Sequence, residues 1–374
     1  MLICINRETA LALAAQAAKA VPKTTATPEI KGIHLQADAR LSMVTMTATD
    51  GEISIRASMS GTVERSGSAV IPNGLLPDIL KMLPDEHVTM EIRHPGRVDI
   101  HSGSTTYNIH VLDAQKYPLP EVPFLDDTVP VSKISTMARQ TLFAAGAGDQ
   151  PNIMKAVRLK VGPAGLTATS TNGFCIADAV GDKNCVSDVE THVLIPARSL
   201  AVLASISLDS DVYQMGLTQG NVVFWSGTTM FSARVLEGRY PDTENVLSRV
   251  KSLYSVSVDA ADLYNAISAV SALGESEKEA PGRGELRFGE HELIVGVATA
   301  DKSASIPVKA MILSPAPGPF YYNYKHLQRY LRLQRGRITL EIDQAGLLSI
   351  RTGEMRYLQS PMRPPKLSQA GKAA

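Results

Sequence analysis

The stretch IPNGLLPDILKML (71–83) carries the pattern that decides the fold, because it returns at two later points of the chain. The later copies read IPARSLAVLASIS (195–207) and YNYKHLQRYLRL (322–333). Each copy places a Pro or an Asn, residues that often begin a helix, ahead of an apolar helical stretch. The spacings are 124 and 127 residues, measured between Pro72, Pro196 and Asn323. One structural unit is therefore repeated about every 125 residues.

A second pattern has the same period. A helix-start residue followed by an Ala- and Leu-rich stretch occurs with spacings of 126 and 127 residues, at Asn6, Ser132 and Asp259. Two independent patterns with one period predict three copies of one domain, each large enough to form its own core. The Pro- and acid-rich stretches 112–127 and 236–248 are natural junctions. We therefore predict three domains and a disordered tail, at 1–125, 126–248, 249–363 and 364–374.

The local patterns within each copy predict an α+β fold. Stretches such as LTATST (166–171) and ITLEI (338–342) alternate in polarity and are rich in β-branched residues, which is typical of half-buried strands. Two short helices per copy accompany these strands. We therefore expect mostly antiparallel sheets, with two helices packed on one sheet face in every domain.

The composition is typical of a soluble protein of the reducing cell interior. The 374 residues carry 37 basic and 37 acidic side chains, and the three cysteines form no C-x-x-C pair. No apolar run approaches the ~18 residues of a membrane helix. The first ten residues, MLICINRETA, lack the basic start and the apolar core of a signal peptide. We expect a cytoplasmic protein that does not associate with membranes.

The charge is unevenly placed along the chain. Residues 320–374 carry ten Lys or Arg against three Asp or Glu, which gives this segment a net charge of +7. A helix that begins near 324 places Lys325, Arg329 and Arg332 on one face and apolar residues on the opposite face. No carboxylate follows these cations at helical spacing, so the face is not neutralised locally. For one helix, an ordinary solvated face is the more common explanation, and the missing carboxylates argue instead for a surface turned toward phosphate. Both interpretations stay open at this point.

Sequence signatures of catalysis are missing. The chain contains no phosphate-binding loop, no H-E-x-x-H, no G-x-S-x-G and no paired C-x-x-C. His94, His101 and His110 lie close in sequence but lack the spacing of metal ligands on one strand face. We therefore expect no metal, no cofactor and no catalytic residue.

Asp50 and Glu52, in ATDGEISIRA (48–57), allow two interpretations. As two carboxylates on one strand face they resemble the acid pair of a glycosidase. Alternatively, Asp-Gly closes a hairpin and the strand resumes at Ile53. The turn is favoured because the second copy has Asn172 in the same place, and an amide replaces neither a nucleophile nor an acid.

A series of short motifs runs through the chain in a fixed order. They are ATDGEISIRA (48–57), IPNGLLPDIL (71–80), LDAQKYPLP (112–120), STNGF (170–174), IPARSL (195–200), LEGRYPD (236–242), NYKHL (323–327) and YLQSPMR (357–363). Together they show that the chain, from residue 1 to about 363, resembles the bacterial replicative sliding clamp, the β subunit of DNA polymerase III.

The resemblance implies three repeated domains of the DNA-clamp fold in a head-to-tail homodimer, closed as a ring around double-stranded DNA. Such a ring is a processivity factor and not an enzyme, and it holds DNA without sequence preference. The resemblance further implies that polymerase subunits, the clamp loader and repair proteins bind through short peptide motifs.

The family's functional positions fall on particular residues of this chain. The DNA-facing positions are Lys23, Gln150, Arg198, Lys325 and Arg329. The partner-peptide pocket is formed by Met154, Thr171, Gly173, Phe174, Ile176, Pro241, Val246, Asn323, His326, Pro361, Met362 and Arg363. The dimer seam joins the first domain of one subunit to the third of the other through Tyr107, Ile109, Ala272 and Leu273.

Departures from the family suggest a divergent or accessory clamp. Thr-Asn-Gly-Phe-Cys (171–175) replaces the usual Thr-Asp-Gly-His-Arg, which makes the pocket more apolar. Eleven residues follow Arg363, and this tail is a candidate competitor for the pocket. Two alternative functions stay open: a clamp-like interaction platform that does not encircle DNA, and an intracellular hydrolase that uses Asp50 and Glu52.

Overall fold

The computed structural model describes residues 1–72, 74–94, 96–123, 125, 127–274, 282–299 and 302–365. Most of the predicted tail, 366–374, lies outside the described residues. The described helices include none that is long and apolar enough to cross a membrane. The chain forms two compact units, unit 1 with Met1–Ser135 and Arg198–Leu236, and unit 2 with Thr136–Ala197 and Glu237–Ala374.

Unit 1 is built on two antiparallel sheets. Its strands are Leu2–Asn6 (β1), Gly32–Asp38 (β2), Met43–Thr49 (β3), Ile53–Ser60 (β4), Thr62–Arg65 (β5), Gly67–Pro72 (β6), His87–Glu91 (β7), Arg97–Ser102 (β8), Thr105–His110 (β9), Thr128–Val131 (β10), Tyr213–Thr218 (β15), Asn221–Ser226 (β16) and Thr229–Arg234 (β17). The orders are β5-β1-β7-β8-β9 and β10-β15-β16-β17-β4-β3-β2-β6. Two helices, Arg7–Ala17 (α1) and Leu75–Met82 (α2), pack against each other, and α1 contacts the larger sheet.

Unit 2 is built on a single twelve-stranded sheet. Its strands are Ala156–Gly162 (β11), Gly165–Thr171 (β12), Cys175–Val180 (β13), Thr191–Pro196 (β14), Tyr254–Asp259 (β18), Arg283–Phe288 (β19), Glu292–Ala298 (β20), Ser303–Ser314 (β21), Phe320–Asn323 (β22), Arg337–Ile342 (β23), Leu348–Thr352 (β24) and Met355–Gln359 (β25). The order is β14-β11-β12-β13-β25-β24-β23-β18-β21-β20-β19-β22. Its helices are Thr243–Arg249 (α5), Ala260–Gly274 (α6) and Tyr324–Leu331 (α7). Helices Ile134–Thr141 (α3) and Ala197–Ile206 (α4) each span a division between the units.

The helix starts predicted at Asn6, Asp259 and Asn323 are confirmed, and local hydrogen bonds explain these three. Asn6 caps α1 by accepting a bond from the Thr9 N–H, and Asn323 caps α7 by accepting from the Lys325 N–H. Asp259 accepts from the N–H groups at the start of α6. An Asn or Asp oxygen satisfies backbone donors that the first helical turn leaves without a partner. The α+β, antiparallel fold is confirmed. The described residues place α1 and α2 in the first repeat, α3 and α4 in the second, and α6 and α7 in the third, with α5 as an additional helix where the second and third repeats meet.

Helix α7 has the two faces that the sequence predicts. Tyr324, Leu327 and Tyr330 are buried in the core of unit 2, whereas Lys325 and Arg329 are exposed. The third predicted cation, Arg332, follows the last helical residue and stays exposed.

The sheets run through the predicted domain boundaries. In unit 1, β4 of the first repeat pairs with β17 of the second, and in unit 2, β13 of the second repeat pairs with β25 of the third. Three repeats therefore share their sheets, which is why the chain contacts divide into two compact units. The boundary predicted after 248 falls within α5, and the three-domain division remains a prediction.

Candidate functional site

A turn between β12 and β13 positions residues of the predicted peptide pocket. Asn172 is buried, and its Oδ1 accepts hydrogen bonds from the N–H groups of Phe174 (2.9 Å) and Cys175 (3.0 Å). The Thr171 hydroxyl donates to the Cys175 carbonyl at 2.8 Å and accepts from the Gly173 N–H at 3.1 Å. Gly173 has a φ of +84°, a conformation that favours glycine. Hydrogen bonds from the side chains of Thr171 and Asn172 to the backbone therefore stabilise the turn, which places Phe174 at its tip.

Phe174 and His326 form an aromatic platform. Phe174 is 62% exposed, which is unusual for so large an apolar side chain. Its ring lies nearly parallel to that of His326, with centroids 6.4 Å apart and planes inclined by 14°. Two neighbouring rings offer a surface on which an apolar side chain of a partner can pack.

The segment that follows β25 contacts two neighbouring elements of unit 2. The Ser360 N–H donates to the Phe174 carbonyl at 2.9 Å, and the Met362 N–H donates to the Tyr321 carbonyl at 2.7 Å. Pro361, Met362 and Arg363 therefore lie close to both the Phe174 turn and β22. The backbone of this segment thus joins the Phe174 turn to β22.

Helix α5 supplies an apolar floor beside the turn. Leu247 packs on Ile176 of β13 and Leu358 of β25, and these three side chains are buried together. Val250 and Leu347 pack against the same cluster. Because Ile176 and Leu358 face each other across paired strands, α5 covers the joint between β13 and β25.

Helix α5, Leu247 and Leu358 were not predicted from the sequence, which indicated only a loop at 236–248. A local signal for the helix is nevertheless present. Asp242 accepts a hydrogen bond from the Asn245 N–H, and Glu244 lies in the first turn, where a negative charge is favourable. An Asp ahead of Glu and an apolar pair is therefore sufficient to predict a short helix here.

The remaining predicted pocket residues lie on the same unit. Val246 is an exposed residue of α5, Pro241 precedes that helix, and Asn323 caps α7. Met154 lies in the short helical turn Asn152–Lys155, and its carbonyl accepts a hydrogen bond from the Gly146 N–H at 2.7 Å. Gln150, two residues ahead of this helical turn, contacts the Phe174 turn, because its Nε2 donates to the Asn172 carbonyl at 2.9 Å.

Two titratable groups of the pocket are kept neutral by burial. Burial raises the pKa of the Cys175 thiol to about 12, so the thiolate that would react with oxidants is scarce at neutral pH. Burial and the nearby Arg329 lower the pKa of His326, which keeps its ring uncharged at neutral pH. Neither group therefore adds a charge to the predicted pocket at neutral pH.

The predicted DNA-facing residues differ in their surroundings. Lys23, Lys325 and Arg329 are exposed. Both polar atoms of the Gln150 amide are engaged, since its Oε1 also accepts from the Ala147 N–H at 3.1 Å. Arg198 binds Asp50, with Nη2 2.7 Å from Oδ2. Charge is therefore best presented to a ligand by α7 and by the segment that holds Lys23.

Asp50 and Glu52 form a turn and not an acid pair on a strand face. Both precede β4, and Asp50 Oδ1 accepts from the N–H groups of Glu52 (2.9 Å) and Ile53 (2.8 Å). The other oxygen of Asp50 is bound by Arg198. With both oxygens engaged, Asp50 has a structural role, and the hydrolase interpretation is wrong.

The predicted dimer residues lie on two elements. Tyr107 and Ile109 belong to β9, the edge strand of the five-stranded sheet, and both are partly exposed. Ala272 is exposed near the end of α6. Leu273 belongs to the same helix, and its side chain lies outside the described part of the structure.

The sequence matches two models of one family. Residues 1–121 match the N-terminal domain of the DNA polymerase III beta subunit, and residues 128–242 match its central domain. The beta sliding clamp of Synechococcus elongatus is 30% identical over 291 residues, which cover 75% of this chain and 76% of that protein. The beta sliding clamp of Bacillus subtilis is 28% identical over 268 residues, covering 68% and 70%.

Solved structures share the fold over nearly the whole chain. The DNA polymerase sliding clamp from Bacillus subtilis has a TM-score of 0.86 at 22% identity, covering 98% of this chain and 100% of that one. A sliding clamp from Pseudomonas aeruginosa bound to griselimycin has a TM-score of 0.86 at 19% identity, covering 97% and 100%. Because the two family models together match more than half of its residues, the chain belongs to the DNA polymerase III beta subunit family, the bacterial sliding clamps.

Proposed function

We propose that two copies of the chain close head to tail around duplex DNA, and that partner proteins bind this ring through peptides in the pocket of unit 2. As a member of its family, the chain is a processivity factor of DNA replication and not an enzyme. Its place of action is the cytoplasm, with the replicating DNA. The observation that carries the proposal is the pairing of strands from neighbouring repeats, which we call a seam. It occurs twice within the chain, as β4 with β17 and as β13 with β25. Two further strands have unpaired edges that can form a third seam.

The two seams within the chain share one design. In unit 1, Phe231 of β17 lies opposite Ile55 of β4, and in unit 2, Tyr357 of β25 lies opposite Ala177 of β13. Both aromatic side chains are fully buried. An aromatic residue in the centre of a closed seam gains stability from this burial.

Strand β9 is the third strand of this kind. Like β17 and β25, β9 begins two residues after a glycine that lies in the preceding turn. The third residue of each of these strands is aromatic: Tyr107 in β9, Phe231 in β17 and Tyr357 in β25. Unlike them, β9 is an edge strand and Tyr107 remains partly exposed. An exposed edge strand is a template for pairing with another chain.

Strand β21 of the third repeat has a second open edge. Its residues 303–309 pair with β20 on one side, whereas β18 pairs with it on the other side only from Ala310 onward. Within the described residues, the first half of β21 therefore has one unpaired edge. Pairing of β9 from one copy with β21 from another closes both edges, and doing so twice gives a closed ring with twofold symmetry.

The charge distribution suits a ring that slides. The whole chain is neutral, whereas residues 320–374 carry a net charge of +7. Contacts between Lys or Arg and phosphate carry no sequence information, and their strength increases with their number. A few cations attract the duplex without holding it at one place.

Sedimentation with and without nicked circular DNA tests the ring. The unchanged protein should sediment as a dimer and be retained on the circle, and cutting the circle should release it. Tyr107→Asp should give monomers, because it places a charge in the centre of the proposed seam, whereas Tyr107→Phe should remain a dimer. A monomeric unchanged protein would contradict the ring. A dimer without retention would instead support the interaction platform.

Met362→Ala is expected to weaken binding of a polymerase-derived peptide about tenfold, or ~1.4 kcal/mol. The substitution removes an apolar side chain from the segment whose Ser360 N–H binds the Phe174 carbonyl, and it keeps the backbone bond from residue 362 to Tyr321. Fluorescence anisotropy with the labelled peptide measures the change. Met311→Ala, at a methionine of β21 that is 53% exposed, is the matched control and should bind normally. Equal affinities for both variants would refute the pocket.

A further inference from the structure

The first Thr-Asx-Gly turn differs from the second in one functional atom. Asp50 Oδ1 caps the N–H groups of Glu52 and Ile53, as Asn172 Oδ1 caps those of Phe174 and Cys175, at distances between 2.8 and 3.0 Å. The remaining side-chain atom is a carboxylate oxygen in Asp50 and an amide nitrogen in Asn172. One side-chain oxygen is therefore sufficient to cap the turn, and Oδ2 of Asp50 is available for a different interaction.

That oxygen binds a cation which the family resemblance places on the DNA-facing surface. Arg198 Nη2 lies 2.7 Å from Asp50 Oδ2, and Nη1 lies 3.7 Å from Glu52. The Asp50 side chain is only 6% exposed, whereas those of Arg198 and Glu52 are 69% and 66% exposed. A short charge-assisted bond to a buried carboxylate is stronger than a pair between two exposed groups. Asp50 is therefore the principal partner of Arg198.

The second helices of the three repeats carry graded charge at two corresponding positions. In α7 these positions are the exposed Lys325 and Arg329. In α4 they are Arg198, which is paired, and Val202. In the first repeat they are Gly74, ahead of α2, and Asp78. Among the described residues at these positions, Arg198 is held by Asp50, whereas Arg329 of α7 is an exposed cation.

We propose that Asp50 masks Arg198, so that the phosphate attraction of the second helices is concentrated on α7 of each subunit. This inference rests on the proposed encirclement of DNA. Phosphate and Asp50 compete for one guanidinium, and Asp50 is already in place. The mask lowers the number of phosphate contacts, and the clamp holds DNA more loosely than its cation count suggests.

Asp50→Asn tests the mask. The Asn172 turn shows that an amide oxygen makes the same caps, and the new amide nitrogen, being a donor, cannot bind Arg198. Each ring then gains one phosphate contact per subunit. A plot of log K against log[salt] for binding to duplex DNA should become steeper by roughly 2 per ring. Asp50→Asn combined with Arg198→Ala should return the slope to that of the unchanged protein.

Two single variants give an independent measure that does not require the Asp50 change. Arg198→Ala should leave the salt slope nearly unchanged although it removes a cation, whereas Arg329→Ala should reduce it by roughly 2 per ring. Equal effects of these two variants would overturn the mask. So would a gain in Asp50→Asn that persists without Arg198. If the unchanged ring shows no salt-dependent DNA binding at all, encirclement itself is wrong, which is a different result.

Discussion

Replacement of both Lys325 and Arg329 by Glu is expected to abolish retention on circular DNA at physiological salt and to leave the dimer intact. Both side chains are exposed on α7, and the buried face of the helix consists of other residues. Packing should therefore survive the change. Each ring loses four proposed phosphate contacts, which reduces the salt slope by roughly 3.6 and the affinity on the order of a hundredfold. Anions in their place repel the duplex further.

A matched control separates this local effect from a change in net charge. Arg40 and Lys251 are exposed and lie outside the helices, so their replacement by Glu gives the same change of charge. Retention on nicked circular DNA, measured by gel filtration, should be nearly normal for this control. Sedimentation without DNA should show dimers for both variants. If the α7 variant is retained as well as the control, α7 does not face the duplex.

Local signals in the sequence were sufficient to predict the repeats and the orientation of α7. Helix-start residues such as Asn6 and Asn323 bind backbone N–H groups within the first helical turn. The residue that predicts the helix and the backbone groups it binds are therefore only two or three positions apart in the sequence. The two faces of α7 follow from its period of 3.6 residues. The Thr-Asx-Gly turn is equally local, and the amide at Asn172 correctly indicated that Asp50 serves as a turn residue.

Contacts between distant residues could not be predicted in this way. Arg198 meets a carboxylate 148 positions earlier in the chain, and no periodic pattern links the two. The floor residue Leu247 lies on a helix that the sequence did signal, but its partners Ile176 and Leu358 depend on the pairing of β13 with β25. Gln150 was assigned to DNA by resemblance, and the structure shows its amide engaged by backbone groups near the pocket. Such roles are set by topology.

Tyr357→Ala is expected to lower the free energy of unfolding of unit 2 by about 4 kcal/mol. The side chain is fully buried and stacks on Tyr330 with ring centroids 4.6 Å apart, while Phe143 lies at 6.0 Å. Its hydroxyl donates to Gln359 Oε1 at 2.8 Å. Truncation leaves a cavity between rigid aromatic rings, which cannot collapse to fill it. Urea unfolding followed by circular dichroism measures the loss.

Tyr357→Phe separates the packing of the ring from the hydrogen bond of the hydroxyl. It removes the donor to Gln359 and keeps the ring, so it should cost about 1 kcal/mol. A loss below about 1 kcal/mol in Tyr357→Ala would show that the seam does not depend on this ring. Because β25 leads directly into residues 360–363, a loosened seam also shifts the C-terminal side of the pocket. Tyr357→Ala should therefore reduce both stability and peptide affinity, whereas Met362→Ala should reduce affinity alone.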